Sequence, residues 1–220
     1  MNDILTANAF SDRLDALRGE ADWKTVKMGD IFKLGKEFQQ MPIAEIEKLM
    51  ESDIHKMRVG ALSIMGQCAK GNNCTPERLK DLYGLYIRRH DCIDDWGLVD
   101  LAAYYVVGQY LADKPRKMLY KLARSKDTWE RRTAIVATAH FIMKLRQTED
   151  TFRIAGILVE DKEEFVNRGS GWMLRTAGDV DRSGLLQFLD KYAATMPRIT
   201  LRMAIEKFDK PQRAEYMNRK

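Results

Sequence analysis

The chain has little of what usually fixes a fold or a chemistry by itself. Three cysteines in 220 residues, Cys68, Cys74 and Cys92, are too few and too odd a number for a disulfide framework. They point to a reducing compartment. With His90 they contain no Cys-x-x-Cys knuckle, so no zinc cluster is expected, and the reading assigns no metal and no cofactor. No apolar run approaches the length of a membrane span. The start, Met1-Asn2-Asp3, lacks the basic and apolar stretches of a secretion leader. The expectation is a cytoplasmic protein with no membrane partner. Only five prolines interrupt the chain, which suits long helical stretches.

What is present is 45% apolar and 31% charged residues with a net charge of +5. That composition is globular, and the modest basic excess favours an anionic partner such as nucleic acid. Apolar residues recur at spacings of three and four. Met57, Ala61, Leu62, Met65, Cys68 and Ala69 form one stripe, and Val99, Ala102, Val106, Tyr110 and Leu111 another. Strict alternation of the strand kind is missing. Helix starts are signalled at Thr75-Pro76-Glu77, Asp127 and Pro197, and stops at Gly71-Asn72-Asn73 and Asp113-Lys114-Pro115. The expected fold is all-α, with about a dozen helices. It is read as a single domain over residues 1–220, with 1–27 as an N-terminal helical segment.

A repeat organises these helices. Asp53, Asp91, Asp127, Glu163 and Pro197 are spaced 34 to 38 residues apart, the length of a HEAT or armadillo helix pair. Taken as helix starts, they place Arg58, Trp96, Arg132, Arg168 and Arg202 five residues in. Leu62, Asp100, Val136, Trp172 and Glu206 follow nine residues in, and Arg175 lies three beyond Trp172. The expected architecture is a curved solenoid of HEAT-like antiparallel helix-pair repeats. Its concave face would gather arginines, two tryptophans and one aspartate. Guanidinium groups at Arg132, Arg168, Arg175 and Arg202 suit phosphate, because the planar fork donates two parallel hydrogen bonds. Trp96 and Trp172 could pack on a sugar or base, whereas Trp23 and Trp129 are assigned to the core. Asp100 stands one helical turn from Trp96. It is either an acid that acts on something cationic or half of an interhelix salt bridge. Asp94 and Asp95 read as helix-start carboxylates opposing the helix dipole.

Three segments, Trp96-Gly97-Leu98-Val99-Asp100, Thr128-Trp129-Glu130-Arg131-Arg132-Thr133-Ala134 and Gly171-Trp172-Met173-Leu174-Arg175, resemble signature stretches of the AlkD family of DNA alkylation repair glycosylases. They stand in the family's order and at similar separations. Lys33-Leu34-Gly35-Lys36-Glu37-Phe38 and His55-Lys56-Met57-Arg58-Val59-Gly60-Ala61 resemble two weaker stretches upstream. The resemblance spans residues 28 to 205. It implies a curved stack of HEAT-like repeats gripping double-stranded DNA; the sequence gives no reason for an obligate oligomer, and a monomer is expected. The resemblance also implies hydrolysis of the N-glycosidic bond of cationic alkylpurines such as 3-methyladenine and 7-methylguanine. By motif position Asp100 would be the catalytic carboxylate, Trp96 and Trp172 would pack around the lesion's sugar, and Arg132 and Arg175 would bind DNA, which Arg168 is expected to join from its repeat position. Two features depart from the family pattern. Before residue 28, Trp23 is the one large aromatic after Phe10, and Gly169-Ser170-Gly171 is poor helix composition.

Two other function classes stay open on sequence: a non-catalytic HEAT-like DNA-binding scaffold, and a protein-interaction module of the same fold.

Overall fold

The structure is a computed structural model that describes residues 5–18 and 22–219. Met1-Asn2-Asp3, on which the leader expectation rests, lies outside the described residues. Those residues contain thirteen α-helices and no strand, so the all-α expectation holds. The chain divides into two compact units, Met1–Tyr110 and Leu111–Lys220.

The first unit holds α1 (Ala7–Arg18), α2 (Met28–Glu37), α3 (Ile43–Met50), α4 (His55–Lys70), α5 (Pro76–Arg88) and α6 (Trp96–Ala102). The central element is α4, which packs against α2, α3 and α6. The stripe Met57, Ala61, Leu62, Met65, Cys68 and Ala69 is buried as its spacing predicts, and so are Val59 and Ile64 beside it. A helix enclosed on most sides needs apolar residues all round rather than along one stripe. Phe10 of α1 meets Phe38 edge-on at 5.2 Å, closing that side of the core.

The second unit holds α7 (Lys117–Leu122), α8 (Thr128–Val136), α9 (Glu149–Ile157), α10 (Glu164–Gly178), α11 (Arg182–Tyr192), α12 (Arg198–Ala204) and α13 (Lys210–Asn218). Here α10 is central, between α8 and α12. The glycine-rich stretch Gly169-Ser170-Gly171 lies inside α10 and is explained by this packing. A Cβ at Gly171 would come 2.7 Å from the Met203 Cβ and 2.9 Å from the Thr200 carbonyl oxygen. The missing side chain lets the α10 and α12 backbones approach, which offsets the cost of glycine in a helix.

The start signals act as local physics requires. Thr75 accepts from the Arg78 N–H with Pro76 behind it, and Asp127 accepts from Trp129 and Glu130. Both occupy otherwise orphaned amides of a first turn. Pro197 precedes α12, and Gly71 follows α4.

The repeat register needs one correction. The residues that cap the five central helices are Ile54, Asp95, Asp127, Glu163 and Pro197. Three coincide with the expected starts, and the first is one residue later. The second is four residues later. Asp91 sits in a short 3-10 turn, His90–Cys92, with its carboxylate turned to Arg89. The helix begins where the Asp95 carboxylate can accept from Gly97 and Leu98. Trp96 is therefore the first residue of α6 and Asp100 the fifth. Asp100 shares its repeat position with Arg132, Arg168 and Arg202, not with Trp172.

The corrected register exposes a regularity at the fourth residue. Arg58 Nη1 donates to the Ser52 carbonyl at 2.8 Å, Arg131 Nη1 to the Ser125 carbonyl at 3.1 Å, and Asn167 Nδ2 to the Asp161 carbonyl at 3.0 Å. In each case the acceptor lies six residues upstream, so the side chain fastens the incoming loop to its helix. Both arginines also grip a carboxylate, Asp94 for Arg58 and Asp161 for Arg131. Arg58 is thus a loop clamp and not one of the groove arginines that the sequence pattern grouped it with.

Candidate functional site

In the first unit the candidate residues are carried by α6. Trp96 is 50% exposed, although large aromatics usually bury. Asp100, one turn on, is half-buried. It lines a pocket of about 220 Å³ together with Phe32, Gln67, Lys70 and Tyr105. The Lys70 Nζ stands 5.7 Å from the Tyr105 ring centroid. Two local features set this geometry. A Cβ at Gly66 would lie 2.3 Å from the Leu101 carbonyl oxygen, so glycine allows α4 to approach the backbone beside Asp100. Immediately after α6 the helix widens into a π segment, Ala103–Gly108, a form that accommodates an extra residue in the turn. That segment carries Tyr105 to the pocket. The pocket thus combines one carboxylate, one ammonium, one amide and two aromatic rings, a set suited to a charged ring system.

In the second unit Arg132 is only 4% exposed. Its Nη1 donates to the Phe165 carbonyl in the first turn of α10, so it ties α8 to α10. Arg168, Trp172 and Arg175 lie on α10 at spacings of four and three, which places them on one face. Arg168 is exposed and paired with Glu164 one turn back at 2.7 Å. Trp172 is half-buried. Arg175 is half-buried and ion-paired with Glu206, at the edge of α12. Arg202 is exposed on α12.

The two tryptophans assigned to the core are not fully inside. Trp23 is half-buried beneath the Arg18 guanidinium, 5.0 Å from its ring. Trp129 is half-buried and lies 5.7 Å from the ring of Phe165, itself 40% exposed. The sequence reading missed the pocket walls Phe32, Gln67, Lys70 and Tyr105. The last three lie just outside the quoted motifs and are brought together by the packing of α4 against the π segment. The Trp129–Phe165 pair was missed because Trp129 was assigned to the core, although each is the second residue of its helix and so occupies the same repeat position.

Thiol chemistry is disfavoured. Burial, followed by the neighbouring Cys68, pushes the Cys74 thiol up to about 11. Burial and then the Asp91 charge raise Cys92. A protonated thiol is a poor nucleophile. Among the described residues, no three His, Cys, Asp or Glu side chains converge as a metal site. No helix among them is long and apolar enough to cross a membrane.

Fold and site together define an all-helical protein. A carboxylate and an exposed indole share one short helix in one unit, and an arginine- and tryptophan-bearing helix lies at the centre of the other. A family model described as DNA alkylation repair enzyme matches residues 18–208, and the chain belongs to that family. No curated protein matches the chain.

Proposed function

We propose that the chain is a monofunctional DNA glycosylase that hydrolyses the N-glycosidic bond of cationic N-alkylated purines, such as 3-methyladenine and 7-methylguanine, in duplex DNA. It is read as a monomer acting in the cytoplasm on the nucleoid. Its helices are read as HEAT-like antiparallel pairs in a curved solenoid over residues 1–220. The loop clamp at the fourth residue of α4, α8 and α10 supports a common repeat unit.

The observation that carries the reading is the placement of Asp100. It sits half-buried in a pocket with two aromatic rings, one turn from an exposed tryptophan, in a member of a DNA alkylation repair family. An alkylated purine already bears positive charge and needs no strong acid to leave. The C1′–N bond breaks with its electron pair passing to the base, which becomes neutral, and positive charge develops on the sugar. A fixed carboxylate stabilises that charge and orients the water whose oxygen bonds to C1′, with the water's proton passing to Asp100 or to solvent. The face of Trp96 presents negative quadrupole density to the same cation, and Trp172 is assigned by the family resemblance to pack around the lesion's sugar. Arg132, Arg168 and Arg175 are assigned to the DNA: Arg168 and Arg175 to phosphates, and Arg132 by bracing the first turn of the helix that carries them.

The experiment is release of free 7-methylguanine from methylated duplex DNA by pure protein. Asp100→Asn is expected to slow single-turnover release by about a hundredfold or more while leaving DNA affinity nearly unchanged. A wild-type protein that binds the duplex but releases no base would leave the non-catalytic scaffold as the better reading.

A further inference from the structure

The first turn of α4 and the residues leading into α6 are joined by two side-chain pairs that run in opposite order along the two segments. Arg58 Nη2 reaches both oxygens of Asp94, at 3.0 and 2.8 Å. Three residues earlier on α4, His55 Nε2 donates to Asp95 Oδ2. Residues three apart on a helix share a face, so His55 and Arg58 meet the consecutive acids Asp94 and Asp95 as a set. The two pairs differ in what lies beyond them. Arg58 is also tied to the Ser52 carbonyl, as its repeat counterpart Arg131 is to Ser125, which marks a structural clamp. His55 has no such role in fastening the loop. Its partner Asp95 uses the other carboxylate oxygen, Oδ1, to accept from the Gly97 and Leu98 amides at 2.5 and 3.0 Å. Those are amides of the first turn of α6, the turn that begins with Trp96 and continues to Asp100.

We infer that His55 is a positioning residue, holding the Asp95 carboxylate in the rotamer that caps α6 and so fixing where Trp96 and Asp100 stand. The inference rests on the glycosylase reading above and deepens it. A carboxylate that accepts on one oxygen from two backbone amides and on the other from an imidazole has both oxygens directed. Without the imidazole it can rotate about its Cα–Cβ and Cβ–Cγ bonds. The cap then weakens, and the Gly97 and Leu98 amides of the first turn of α6 lose a fixed acceptor. His55 is about half exposed in its side chain, so its loss should leave the core intact.

The test compares His55→Ala, His55→Gln and Asp95→Asn in the full chain. The Gln amide nitrogen can stand near the place of Nε2, and Asn at 95 keeps an oxygen to accept from Gly97 and Leu98 but offers His55 an amide. His55→Ala and Asp95→Asn are expected to slow single-turnover release of 7-methylguanine about tenfold, with DNA affinity within about twofold of wild type, because misplacement affects the reacting geometry more than binding. His55→Gln should recover most of the rate. Amide hydrogen exchange at Gly97 and Leu98 should quicken in His55→Ala and return towards wild type in His55→Gln. A wild-type rate in His55→Ala, equal losses in Ala and Gln, or unchanged exchange at Gly97 and Leu98 overturns the inference. If the wild-type protein releases no base, the glycosylase reading fails, and the exchange measurements still decide whether His55 governs the cap.

Discussion

Arg132 and Arg168 occupy the same position in their helices, yet they face different surroundings. Arg132 is buried and its Nη1 is committed to the Phe165 carbonyl. Arg168 is exposed and holds only a pair with Glu164 on its own helix. Removing Arg132 takes a charged donor from the Phe165 carbonyl and leaves a space where the buried guanidinium lay. Arg132→Ala is expected to cost about 1–3 kcal/mol in urea denaturation. An exposed pair one turn apart contributes little, so Arg168→Ala should change stability by less than about 0.5 kcal/mol. Its effect should appear instead in DNA affinity, as weaker binding with a shallower dependence on salt, because one fewer phosphate contact releases fewer counterions. Anisotropy titrations at several salt concentrations check this. An Arg168→Ala protein with an unaltered salt slope would remove that residue from the DNA interface.

At the scale of elements, the helices were largely legible and their register was not. The stripe on α4, the Thr75-Pro76 start and the Asp127 cap follow from spacing and from unpaired first-turn amides, which are local effects. Asp91 and Asp95 are both plausible caps by type. What chooses between them is non-local: Arg89 draws Asp91 aside while also engaging Glu47 of α3 and Glu51 at its end, and His55 holds Asp95. Trp96 and Asp100 were therefore singled out as candidates by motif and spacing, while their repeat position was misassigned. The Gly169-Ser170-Gly171 stretch looked wrong for a helix because the reason for it lies on α12. Gly171→Ala tests that reason directly. A methyl 2.7 Å from the Met203 Cβ and 2.9 Å from a carbonyl oxygen must push two backbones apart, at an expected cost of about 1–3 kcal/mol. The readout is a lower urea midpoint with an unchanged slope. A midpoint equal to or above wild type would mean that the α10–α12 approach is slack.

Across the whole molecule the balance is +5, but much of the arginine complement is already matched. Arg58, Arg88, Arg89, Arg116, Arg131, Arg175 and Arg219 each hold a carboxylate. The attraction for DNA must come from the remaining cations and from whichever of these pairs a phosphate can open. The same balance shapes the acid response. Burial, followed by the nearby charges of Lys144 and Arg116, lowers the His140 pKa below its ordinary 6.5. The folded chain therefore keeps His140 neutral where the unfolded chain would take up a proton. Above that ordinary value the difference contributes nothing. Below it, stability falls as pH drops towards the folded pKa, at no more than about 1.4 kcal/mol per pH unit. The carboxylates whose pKa values are lowered by arginine and lysine partners, Glu47 by Arg88 and Glu45 by Lys48, lose their contribution only as pH falls below the ordinary carboxylate range. The interval between pH 6.5 and 5 is thus set apart for histidine. Melting temperature should decline across it in the wild type and decline less in His140→Gln, whatever the variant's starting stability. Parallel curves for the two proteins would show that the buried imidazole takes up its proton equally in the folded and unfolded chains, and that the acid response arises elsewhere.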